Sequence, residues 1–197
     1  MRIIAGELSG RTIPSPPGPG TRPTTDALRE TIFSTLAHHV HWPSCNVLDL
    51  CCGSGAMGFE ALSRGATHAT FIDANRAVCK QVEATALELG LHERSTIMCA
   101  RIEQVLGAPS NSAITGATTP SSPLRTPFHV VFADPPYDAM LSNRIANALA
   151  GKGLLAPGGL FVAEHGEREA LLLDERWEEL AQKTRGAAVV DLRKLRS

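Results

Sequence analysis

Asp134, Pro135, Pro136 and Tyr137 follow directly on the apolar run Val130-Val-Phe-Ala133. Together they offer a carboxylate, a fixed carbonyl on a residue with no N–H to donate, and an aromatic face. Such a set suits a flat base bearing an amino group, whose N–H hydrogens the oxygens accept and whose face the ring covers. β-formers without polar alternation read as a strand buried on both faces, and two prolines cannot extend its ladder, so the chain leaves the sheet at Asp134. In open α/β sheets ligands gather outside the carboxyl ends of the strands, which puts these four residues within a substrate's reach. Taken alone, the same residues also describe a plain strand end closed by a proline turn.

A second constellation lies upstream in Asp49-Leu-Cys51-Cys-Gly53-Ser54-Gly55. The glycines let backbone pass close to a ligand at a strand-to-helix turn, and Asp49 places a carboxylate suited to a cationic amine. Asp73, twenty residues beyond Gly53 and followed by Ala74, sits where an acid hydrogen-bonds ribose hydroxyls. A nucleoside with an amino-acid tail, S-adenosylmethionine, fits that set. The rival is a dinucleotide, because Gly53-x-Gly55-x-x-Gly58 with Asp73 also matches the NAD fingerprint. Glycine spacing does not separate the two, nor does it exclude a structural turn; Asp49 favours the first, since a carboxylate before the turn is unhelpful beside a pyrophosphate. Cys51 and Cys52 read as small turn residues, and His38, His39 and His41 as surface residues without acids or thiols at ligand spacing. No metal site is expected.

The elements that must hold these residues alternate along the chain. Thr24 or Thr25 can cap a helix running to about His38, with Leu28, Ile32, Phe33 and Leu36 on one side. Strands follow at 46–50, 69–73, 95–99, 128–133 and 160–164, with helices at 56–63, 75–89, 102–106 and 140–150 between them. Residues 151–159 form a turn with Leu154 and Leu155 packed inward, and runs at 177–184 and 187–193 form an antiparallel pair. This order predicts an α/β domain with a mostly parallel sheet, helices on both faces and an antiparallel strand at one side. Residues 1–20 form a small hairpin and a Pro/Gly linker apart from that pattern, leaving 21–197 as the main domain. Residues 107–127, rich in Ser, Thr, Pro, Ala and Gly, read as a mobile surface loop.

At 197 residues one domain is expected. No apolar run approaches the ~20 residues of a membrane span, and no secretory leader opens the chain, which predicts a cytoplasmic protein without a membrane partner. Five cysteines without a C-x-x-C pair argue against a disulfide framework or thiolate zinc site. The net charge of −1 is unevenly spread: residues 1–24 carry +2, residues 183–197 carry +4, and the body between is acidic. Basic ends suit a phosphate-rich partner, although solvated termini give the same pattern.

Arg2-Ile-Ile-Ala-Gly6, Gly10-Arg11, Thr21-Arg-Pro-Thr-Thr-Asp26, Val47-Leu-Asp-Leu50 with Gly53-Ser-Gly55, Gly58-x-Glu60-Ala-Leu-Ser-Arg-Gly65, Asp134-Pro-Pro-Tyr137 and Gly153-Leu-Leu to Gly158-Gly159 resemble the RsmD family, bacterial methyltransferases that modify a guanine N2 of 16S ribosomal RNA. The resemblance covers nearly the whole chain in order. It implies the seven-stranded, Rossmann-like class I fold of S-adenosylmethionine-dependent methyltransferases and a protruding N-terminal hairpin that meets RNA through Arg2, Arg11, Arg22 and Thr24. It also implies Asp134 to Tyr137 as the catalytic motif, with Tyr137 stacking on the base, and Asp49, Cys51, Gly53, Ser54, Gly55, Asp73 and Ala74 around the cofactor. Where the family carries an acid after the third strand, this chain has Ala100-Arg101, so backbone must serve the adenine there. The implied partner is 16S ribosomal RNA, naked or within a small-subunit particle, and the implied state a monomer. The motif at 134–137 also resembles that of adenine-N6 methyltransferases, and a catalytically idle RNA-binding module is the alternative of another class. On this reading, removing residues 1–20 spares cofactor affinity and abolishes RNA methylation.

Overall fold

The computed structural model describes residues 1–16, 25–106, 124, 127–135, 141–167, 171–185 and 188–197. Its helices are α1 (Asp26–Leu36), α2 (Ala56–Ser63), α3 (Arg76–Glu88), α4 (Ile102–Leu106) and α5 (Leu141–Gly151). Its strands are β1 (Asn46–Leu50), β2 (His68–Asp73), β3 (Ser95–Cys99), β4 (Phe128–Ala133), β5 (Leu155–Gly166), β6 (Trp177–Arg185) and β7 (Ala188–Leu195). They form one sheet in the order β3-β2-β1-β4-β5-β7-β6. The first five strands in that order run parallel, and β7 is antiparallel to both β5 and β6. This is the class I methyltransferase arrangement that the resemblance implies, with the antiparallel strand inserted between β5 and β6.

Both faces of the sheet are covered, which is why β1 and β4 lack polar alternation. On one face Val47, Phe71, Phe132 and Val162 pack against Phe33 of α1, Phe59 and Leu62 of α2 and Val82 of α3. On the other, Leu48, Leu50, Val131 and Phe161 pack against Ile102 and Val105 of α4 and Ile145 and Leu149 of α5. Helix α1 begins where expected, with the Thr25 side chain accepting from the Leu28 N–H. Strand β5 begins five residues before the expected 160, because Leu155 already pairs with Phe128. The register slips before Val130 pairs with Leu160, so the Pro157-Gly158-Gly159 stretch that reads as a turn is carried as an irregularity within the strand.

The N-terminal segment does not protrude in its described part. Arg2 and Thr12 form a bridge, and Ile3 and Ile13 are buried in the core under α1 and α2. Glu60 of α2, wholly buried, accepts the backbone N–H groups of Ile4 at 2.7 Å and Ala5 at 3.1 Å. Ser63 accepts from the Leu8 N–H at 3.0 Å and donates to the Ala5 carbonyl at 2.6 Å. Gly6 has φ +87°, and a Cβ there would lie 1.9 Å from the Ser63 carbonyl oxygen, so only glycine allows this approach. Buried Arg29 completes the anchor, donating to the Arg2 carbonyl and to Asp26, with its Nε 3.8 Å from Glu60. Most of residues 107–127, Arg22 and Thr24 lie outside the described residues.

Candidate active site

Between β1, which connects onward to β2 on one side, and β4 on its other side, the strand order reverses. A crevice opens at such a point, outside the carboxyl ends of the strands. Here it is an open cleft, with Asp49, Phe132, Asp134 and Glu164 on the sheet side and Ile32 and Met57 from α1 and α2 opposite. The register aligns Asp49 with Phe132 and Ala133 with Ala163. Asp49, Asp134 and Glu164 therefore project from the same face at neighbouring strand ends.

The turn between β1 and α2 is held by its own acids. Asp49, almost fully buried, accepts the Gly58 N–H at 2.9 Å and so satisfies one of the amides that the first turn of α2 leaves open. Asp73 at the end of β2 accepts the Gly53 N–H at 3.1 Å through one oxygen and the Asn75 N–H at 2.8 Å through the other. Each oxygen keeps a lone pair for a further donor. Gly53 and Gly55 have φ +52° and +76°, and Cys51, at φ 55°, is the non-glycine residue in the left-handed region among the described residues. A Cβ at Gly58 would meet the Phe71 ring at 2.3 Å, so the third glycine lets the helix pack on the strand. Ser54 is buried beside the N-terminus, its Oγ 3.9 Å from the Met1 sulfur.

Burial sets the protonation of the site. The Asp49 carboxyl is pushed up to about 8, by lost hydration first and by the Asp134 and Asp73 charges last, against the opposing Gly58 hydrogen bond. The Cys51 thiol is pushed up to about 12 by burial and then by Asp73, and Cys52 rises too, so both stay protonated turn residues. Asp134 is pushed up to about 7 by lost hydration and then by Glu164. The residue is nonetheless exposed, and water in the open cleft screens the shift.

The structure thus brings Asp134 and Asp49 to one cleft, with Pro135 buried next to Asp134 and the Gly53-Ser54-Gly55 turn following Asp49 in the chain. Pro136 and Tyr137 lie outside the described residues. Ala74 is exposed after Asp73, and Ala100 and exposed Arg101 follow β3 on the same side of the sheet. The amide hydrogens of both are engaged, Ala100 with the Asp73 carbonyl at 3.0 Å and Arg101 with Gln104 at 2.9 Å. Arg2 is exposed, whereas the Arg11 guanidinium donates to the Glu88 carbonyl at the end of α3, at 3.2 Å. Pro14 and Ser15 accept from Gln81 of α3, and Pro16 lies against Gly53, so the N-terminal segment reaches the turn between β1 and α2. Sequence reasoning gave no role to Glu164 or Glu60. The one signal was a lone acid at an apolar run, following Leu160–Ala163 for the first and inside Ala56–Leu62 for the second.

Comparison with known proteins gives the same outline. The family model described as conserved hypothetical protein 95 matches residues 1–194. Ribosomal RNA small subunit methyltransferase D of Haemophilus influenzae is 33% identical over 187 residues, 94% of this chain and 89% of that protein. The protein of the same name in Escherichia coli K12 is 38% identical over 165 residues, 83% of this chain and 74% of that protein. The solved structure of the Escherichia coli putative methyltransferase yhhF superposes with a TM-score of 0.81 at 32% identity, covering 100% of this chain and 98% of that one. With a family model and these relatives matching along most of its length, and Asp49 and Asp134 meeting at one cleft, the chain belongs to the RsmD family.

Proposed function

We propose that this chain is an enzyme that transfers a methyl group from S-adenosylmethionine to the exocyclic N2 of a guanine in 16S ribosomal RNA. The observation that carries the reading is the cleft that joins Asp134, of the Asp-Pro-Pro-Tyr run, to Asp49 at the foot of the Gly53-Ser54-Gly55 turn. The residues present fit that cofactor. A buried carboxylate at Asp49 complements a cation, a side-chain-free backbone at Gly53 and Gly55 allows close approach, and Asp73 keeps lone pairs for ribose hydroxyls. The names of the relatives, small-subunit ribosomal RNA methyltransferases, support RNA as the acceptor.

When bound, S-adenosylmethionine supplies an electrophilic methyl carried on a sulfonium. A guanine amine is a weak nucleophile because its lone pair is delocalised into the ring. Asp134 and the Pro135 carbonyl accept its two N–H hydrogens, which favours a pyramidal, electron-rich nitrogen and fixes its direction of attack. The same oxygens stabilise the positive charge that develops on nitrogen. Asp134, whose carboxyl is displaced toward neutrality, is the nearest acceptor for the proton then released. Tyr137 stacks on the unstacked base, and the exposed Arg2 and the Arg22–Thr24 stretch meet phosphates. On this reading the enzyme acts as a monomer in the cytoplasm, on RNA that is naked or already within a small-subunit particle. No helix among the described residues is long and apolar enough to cross a membrane.

A tritiated-methyl assay on naked small-subunit RNA and on protein-bound particles, followed by nucleoside digestion, tests this. N2-methylguanosine is the expected product. N6-methyladenosine, or no transfer to either substrate by protein that binds S-adenosylhomocysteine, overturns the reading. Calorimetric heat on adding NAD with none on adding S-adenosylhomocysteine overturns the cofactor assignment.

A further inference from the structure

Glu164 is the acid of the cleft that the mechanism above leaves without a task. It is half-buried, stands one residue beyond Ala163, and Ala163 pairs with Ala133, the residue before Asp134. The two carboxylates therefore leave neighbouring parallel strands side by side, spaced by about the 4.8 Å between strands, on the face that also carries Phe132 and Val162 into the cleft.

The proposed acceptor has a matching edge. On guanine the N1–H donor is bonded to the carbon that carries the N2 amine, so a base that presents N2 to one carboxylate presents N1–H to a neighbour a few ångströms away. An ionised carboxylate only accepts hydrogen bonds. Adenine offers a lone pair at its N1, which a carboxylate meets with repulsion and an unsatisfied acceptor.

We infer that Glu164 is a specificity-determining residue that accepts the N1–H of the target guanine while Asp134 and the Pro135 carbonyl hold N2, and that it excludes bases whose N1 carries no proton. The inference rests on the guanine-N2 reading of the site. It also accounts for two acids being kept side by side: the pairing works against Asp134, whose carboxyl is displaced upward partly by Glu164, and a base that donates to both relieves that repulsion.

The test uses RNA bearing guanine or 2-aminopurine at the target position. 2-Aminopurine keeps the amine to be methylated and replaces N1–H with a lone pair. By the rule that a site built around a substrate N–H rejects the analogue without it, the wild-type enzyme should prefer guanine in kcat/KM by about 10³-fold or more. Glu164→Gln keeps the side chain's shape and can donate its amide N–H to a bare N1. It should slow guanine and help 2-aminopurine, narrowing the ratio by about tenfold or more. Loss of packing alone would slow both substrates together and leave the ratio unchanged. S-Adenosylhomocysteine affinity, measured by calorimetry on the same variant, should stay within about threefold, a change of under 1 kcal/mol. An unchanged ratio, or a cofactor affinity that falls with the rate, overturns the inference and in the second case assigns Glu164 to the cofactor's amine. Absence of N2-methylguanosine with the wild-type enzyme is a separate outcome, which overturns the guanine reading itself.

Discussion

A carboxyl that is neutral at physiological pH attracts a cation only once it ionises, and burial puts Asp49 in that condition. A positively charged cofactor must draw its proton off. S-Adenosylmethionine affinity should therefore strengthen as pH rises from about 6 toward about 8, with proton release visible as heat that varies with buffer ionisation. Asp49→Asn keeps an oxygen for the Gly58 N–H and should flatten the dependence; the same slope in that variant would move the titrating group elsewhere. Asp73 has a different task. Its oxygens fix the Gly53 and Asn75 amides, so Asp73→Ala loosens the turn and, on the proposed reading, removes a ribose acceptor at once. Cofactor binding should weaken by about 1.5–3 kcal/mol, the range for a hydrogen bond to a charged group, as read by calorimetry.

At the scale of elements, the N-terminal hairpin behaves as part of the core. Its clamp is a carboxylate on α2 that accepts two backbone amides 56 and 55 residues away and pairs with Arg64 at 2.8 Å. Leaving such a network half-paired costs about 3–5 kcal/mol, so Glu60→Ala should lower the unfolding free energy by that order in urea titration. Gly6→Ala should be comparably damaging, because its Cβ would meet main chain rather than a movable side chain. Wild-type stability in both variants would mean the hairpin is merely laid on the surface. Removing residues 1–20, which in sequence looks harmless to the cofactor, is expected to expose Ile3 and Ile13's binding face and to disturb the Gly53 turn. The strand-helix alternation was legible because β1, β2 and β4 are short apolar runs closed by turn-forming residues, glycines after β1 and prolines after β4. The start of β5 was not, because proline and glycines inside a strand mimic a turn. Asp49, Asp73 and Asp134 were legible as acids at strand ends. Glu164 and Glu60 were not, since the first meets Asp134 through the Ala133–Ala163 register and the second meets the hairpin through the packing of α2, and neither is visible in local sequence.

For the whole molecule, acids whose protons the fold holds more tightly make stability depend on pH in a definite direction. Asp49 and Asp134 have ordinary values of 3.8 and are raised to about 8 and about 7 when folded. The folded state binds their protons more tightly, so this contribution is fully present below the ordinary value and is lost as pH rises through the folded values. Buried Asp49 carries most of it, because water screens Asp134. The thermal midpoint of the ligand-free protein should fall between about pH 5.5 and pH 8.5 by more than that of Asp49→Asn. An equal fall in both would place the lost protons on other groups.

The organisation of the molecule converges on the reversal between β1 and β4, and the central claim is that methyl transfer takes place there, at Asp134. The direct measurement is single-turnover methyl transfer to small-subunit RNA by Asp134→Ala, beside S-adenosylhomocysteine and RNA affinities of the same variant. With the carboxylate acting mainly in the transition state, both affinities should stay near wild type while the transfer rate falls by about two to four orders of magnitude. A folded Asp134→Ala that methylates at the wild-type rate would contradict the account and remove the chemistry from this cleft.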